Sequence, residues 1–138
     1  MFEHVDDEPD PHFHAPGAVG LLFLLAGIAQ GAFLLIGVVL LAMEPQNDLM
    51  ILAFAMVVRG LPPLVHLLIG AVLLLLANVG RRGPLPSSTP ATLLAAGLWA
   101  ALAGIFEACT CNILMAPLNL FAMAAAVAAA VFLTRRES

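Results

Sequence analysis

Lysine and tyrosine are missing altogether, and charged residues of every kind make up only 10% of the 138-residue chain. A soluble domain carries roughly a quarter charged residues, so a water-facing surface over the whole chain is excluded. The positive charge is five arginines, which form no basic patch interleaved with aromatics, and nucleic acid is therefore not a partner the sequence supports. Two cysteines cannot build a disulfide framework. There is no phosphate-binding glycine loop, no metalloprotease helix and no nucleophile–base pattern, so the chain reads as non-enzymatic and names no cofactor.

What the chain has in abundance is apolar length. Hydrophobic residues reach 62% and mean hydropathy is +1.05. A helix needs about 20 apolar residues to cross a hydrocarbon core of roughly 30 Å, which leaves room for four spans. They are read at about 18–43, 61–79, 91–112 and 118–133. The fold class expected is all-α integral membrane, with four transmembrane helices arranged as two tandem hairpins. Between the first and second spans lies LMILAFAMVVRG, about 49–59, too short to cross as a helix. It is expected to lie in the interface, to re-enter, or to extend span two past Pro62 and Pro63. A break at the prolines is favoured, since proline suits the first turn of a helix.

The first sixteen residues, MFEHVDDEPDPHFHAP, read as an acidic disordered tail rather than a targeting signal, which would need a positive flank and a short apolar core. Its His12 and His14 could hold a transition metal only loosely; a solvated tail is the better reading.

Four of the arginines mark one side of the membrane. Arg81 and Arg82 follow span two, and Arg135 and Arg136 follow span four. With an even number of spans both pairs fall on the side of the N-terminus. The positive-inside rule makes that side cytoplasmic, so both termini are expected in the cytoplasm, in a bacterial inner membrane. Aligning Pro63-Leu64 with Pro117-Leu118 brings the two arginine pairs into register. Upstream, LAGI at 25–28 matches LAGI at 102–105, which sets Gln30 against Glu107. These matches read as a duplicated helical hairpin with an insertion of 23 residues in the first copy. An alphabet of Leu, Ala, Gly and Val also matches itself cheaply.

Small residues mark packing faces. Ala96, Ala100, Gly104 and Ala108 recur every four residues in span three, and Gly27 and Gly31 do so in span one. In lipid such residues let helix backbones approach closely.

Chemistry rests on a few polar residues. Glu107 is an ionisable group inside a span, which costs a few kcal/mol on insertion scales and faces a bundle interior or a wet cavity. His66 lies at similar depth on a stripe with Gly70 and Ala77. With Gln30 opposite and Arg59 above, the two form a candidate intramembrane polar cluster, either a proton or cation site or a set of satisfied buried groups. Cys109 and Cys111 form C-x-C at the outer end of span three. Two residues apart on a helix they face away from each other, so a metal or redox role requires the helix to end there. Cysteine as a small core residue is the default.

The functional expectation is an accessory or scaffolding subunit of a membrane complex, in contact with the lipid bilayer and with a protein partner or a second copy. The alternative is a small proton-coupled carrier using Glu107. A redox or metal-handling protein using Cys109 and Cys111 comes third.

Overall fold

A computed structural model describes residues 14–45, 48–110 and 112–137; the side chains of residues 14, 136 and 137 are outside that description. Four helices account for the described chain: α1 (His14–Ala42), α2 (Leu49–Gly80), α3 (Thr89–Cys109) and α4 (Met115–Glu137). All four are long and apolar enough to cross a membrane. The chain is thus an all-α polytopic membrane protein.

Two antiparallel hairpins make up the bundle. α1 packs along α2, as the neighbours Gly20–Gly70, Gly27–Pro63 and Gly17–Ala77 show, and α3 packs along α4 through Gly97–Ala126 and Gly104–Asn119. Between hairpins α1 lies against α4, while α2 and α3 meet more sparsely, at His66 and Trp99, and leave a cleft. The upper part of that cleft, about 430 Å³, is apolar and includes Leu61, Pro62, Trp99 and Phe106. α2 and α4 run in the same sense, so Arg81, Arg82 and Arg135 lie at one end of the bundle.

Local signals explain most of the boundaries. The side chain of Asp48 caps α2 by accepting from the Met50 N–H at 3.2 Å. Pro16, Pro90 and Pro117 sit in the first turns of α1, α3 and α4, where an absent N–H costs nothing. The α3–α4 turn is built on Asn112, whose N–H donates to the Glu107 carbonyl at 2.8 Å. Its own carbonyl accepts from Met115 and Ala116 at 3.1 and 3.2 Å.

Three expectations need correction. Residues 49–59 are not a separate element or a re-entrant segment; they are the first part of α2, which runs unbroken through Pro62 and Pro63. The prolines remove the intrahelical bonds to the Val58 and Arg59 carbonyls. Both rings are buried in the bundle, and packing against α1 holds the helix through the defect. His14–Pro16, expected in the tail, belong to α1, and Pro16 is buried; residues 1–13 lie outside the described chain. Span three ends at Cys109, which leaves Asn112 in the turn.

The hairpins differ in length. Near the arginines their ends are nearly level. At the other end, α4 begins at Met115, four residues before Asn119, which bonds Gln30 of α1. Four residues beyond Gln30 is Leu34, so α1 continues about eight residues, roughly 12 Å, past hairpin two. The contact of His66 with Trp99 likewise sets the end of α3 level with Met56, leaving the start of α2 in the overhang. This tip exposes Ile36, Leu40, Ile51 and Phe54.

Candidate functional site

The apolar core fills the half of the bundle nearer the arginines, around Phe23, Leu73, Leu93 and the alanines 96, 100, 122, 126 and 130. Above it lies a polar layer to which every helix contributes: Gln30 from α1, His66 from α2, Glu107 from α3 and Asn119 from α4, all buried. Side chains lean toward the N-terminus of their own helix. His66 and Asn119 therefore lean up from helices running down, and Gln30 leans down from one running up.

One hydrogen bond in this layer ties the hairpins together. Gln30 Nε2 donates to Asn119 Oδ1 at 2.8 Å, with both residues at least 96% removed from solvent. His66 is fully buried, stacked on Phe23 with centroids 5.3 Å apart, and met edge-on by Trp99. Its Nδ1 lies 2.8 Å from the Pro62 carbonyl oxygen. At that separation Nδ1 carries the proton and donates it, which makes Nε2 the accepting end. The Trp99 indole N–H, 3.3 Å from the same Nδ1, then meets the ring edge rather than a lone pair.

Three buried atoms of the layer lack a partner among the described residues: Gln30 Oε1, His66 Nε2 and Asn119 Nδ2. The Asn119 amide is near the imidazole but not aligned for a full hydrogen bond. An unsatisfied buried polar group costs about 1–3 kcal/mol. Two acceptors and one amide donor together suit a small species that both donates and accepts hydrogen bonds.

Glu107 is attached to the layer more loosely. Its carboxylate accepts from Asn112 Nδ2 at 2.6 Å, which holds it toward the α3–α4 turn. No hydrogen bond joins it to His66 among the described residues. Of the expected cluster, Gln30, His66 and Glu107 are all buried; Gln30 is held by Asn119 and Glu107 by Asn112, and no hydrogen bond joins the three to one another. Arg59 is exposed, seven residues before His66. At the level of the last turn of α3, a long guanidinium side chain reaches outward to the interface at less cost than inward.

Asn119 escaped the sequence reading. It is the polar residue of an otherwise apolar run, and it stands so near the start of span four that it reads as part of the turn. Trp99 belongs with it, since its indole N–H points at His66.

The packing residues divide. Ala96, Ala100 and Gly104 are buried, but Ala108 is exposed and Glu107 takes its place on the inner face. A strict spacing of four drifts about 40° per step on a helix of 3.6 residues per turn, which carries Ala108 out of the seam. In α1, a Cβ on Gly27 would lie 2.9 Å from Leu67 Cγ, whereas one on Gly31 would come no nearer than 4.0 Å to Pro63.

Cys109 is an exposed free thiol at the end of α3, and Cys111 lies outside the described residues. Among the described residues no group of three His, Cys, Asp or Glu side chains is placed to hold a metal ion. Arg81, Arg82 and Arg135 are exposed, and Arg136 continues α4.

Comparison of the chain with known protein families, with curated proteins and with solved structures finds no match.

Proposed function

We propose that this four-helix membrane protein is a non-catalytic subunit whose projecting hairpin tip engages an apolar segment of another membrane protein. The observation that carries this reading is the difference in length between the hairpins. Beyond the α3–α4 turn nothing from hairpin two covers α1 or α2 among the described residues, and the large apolar side chains there are exposed. Exposed apolar surface of this kind, with adaptable Met43, Met50 and Met56 among it, fits an interaction face. The test is purification of the full chain in mild detergent, as found and with Ile51→Ser plus Phe54→Ser. A stoichiometric partner lost in the variant, and retained when lipid-facing Leu75→Ser is made instead, supports the reading. A lone monomer with nothing stoichiometric attached overturns it.

A second reading rests on a different observation. One polar residue from each helix, with three unpartnered atoms, supports a small proton-coupled carrier in which Glu107 is the coupling residue and His66 the neighbouring acceptor. Glu107→Gln must then abolish uptake or efflux at unchanged expression; undiminished flux excludes it. The redox or metal reading gains no support, because Cys109 is exposed while His66 and Glu107 are buried.

A further inference from the structure

A cavity of about 460 Å³ opens between the first turns of α1 and the last turns of α2, at the arginine end of the bundle. Its floor is Gly17 and Ala18, its walls are Leu21 and Leu74, and its rim is Asn78 and Arg81. The space exists because the residues facing each other here are small: a Cβ on Gly17 would already touch that of Ala77 at 3.4 Å. Polar and apolar lining are separated along the helix axis. Leu21 and Leu74 lie toward the middle of the bundle, while Asn78 and Arg81 lie at its end, where Arg82 and Arg135 are also exposed. The Arg81 guanidinium forms no ion pair among the described residues.

From this arrangement we infer that the cavity binds one anionic phospholipid, with its phosphate on Arg81 and Asn78 and the start of an acyl chain between Leu21 and Leu74. The chemistry matches at both ends. A guanidinium and an amide supply donors suited to phosphate oxygens, and basic pockets between transmembrane helices hold anionic headgroups at this depth. The apolar walls continue in the direction the chain of a bilayer lipid runs. A free phosphate would use the rim alone and leave the walls without a role, so the lipid is the occupant that accounts for the whole cavity.

The experiment is native mass spectrometry of the full chain released from detergent containing equal amounts of phosphatidylglycerol and phosphatidylcholine. The expected result is retention of one phosphatidylglycerol, at least about five-fold over phosphatidylcholine. Arg81→Gln removes that preference and Arg135→Gln, at the same end of the bundle, keeps it. Gly17→Leu, which fills the floor, lowers retention of either lipid. Equal retention of the two lipids, or an equal loss from Arg81→Gln and Arg135→Gln, overturns the inference by reducing it to general charge attraction. Displacement of the lipid by millimolar glycerol phosphate also overturns it, in favour of a free-phosphate site. Arg81 is exposed, and Asn78→Leu provides a second rim variant should its replacement disturb folding.

Discussion

Hairpin one and hairpin two solve the same problem with different contacts. Both bring antiparallel helices together through small residues, as lipid requires where no hydrophobic drive separates helix from helix. In hairpin one the approach is backbone to backbone: a Cβ on Gly70 would lie 2.8 Å from the Gly20 carbonyl oxygen and 2.7 Å from Leu24 Cγ. In hairpin two an added Cβ would meet side chains first, Val127 Cγ2 at 3.1 Å for Gly97 and Asn119 Cβ at 3.4 Å for Gly104. A side-chain tip can move aside and a carbonyl held in a helix cannot. The longer hairpin is therefore the more rigidly specified one, and its overhang is anchored by a seam that cannot slide.

Gly70→Ala tests that contrast most severely. It should destabilise the protein in detergent by roughly 1–3 kcal/mol, the usual cost of overpacking a closed seam. A thermal or denaturant midpoint unchanged by this variant would remove the distinction between the hairpins. Asp48→Ala should cost about 1 kcal/mol through loss of the α2 cap. Because the cap lies in the overhang, the loss should appear as faster amide exchange confined to the start of α2, with the bundle untouched. Gly104→Ala should be the mildest change. Its Cβ meets only ordinary contact distance, so the gain in helix propensity, up to about 1 kcal/mol, decides the sign. Destabilisation by Gly104→Ala would show that hairpin two is as tightly closed as hairpin one.

The sequence made the helices and their pairing legible, because apolar run length and arginine placement both act over whole spans. It misled at Pro62 and Pro63. Proline reads as a helix start when judged locally, and burial against α1 overrode that preference. Spacing of four marked Gly27 and Gly31 as equals, yet only Gly27 meets α2 closely, since contact depends on crossing geometry that spacing does not encode. Of the polar layer, Glu107, His66 and Gln30 stood out because each is out of place in an apolar run. Asn119 did not, lying only two residues past Pro117 at the start of the span. Arg59 was misplaced because depth along a helix says nothing about which face a side chain takes.

The buried Gln30–Asn119 hydrogen bond locks the two hairpins into one bundle. A double-mutant cycle on Gln30→Leu and Asn119→Leu, with unfolding followed in lipid bicelles, tests it most directly. Each single variant orphans its partner, so the account predicts that the double variant costs less than the two singles together, with a coupling of about 0.6–2 kcal/mol. Strictly additive losses would mean that the two side chains do not meet in the membrane, and that the hairpins are held together by something else.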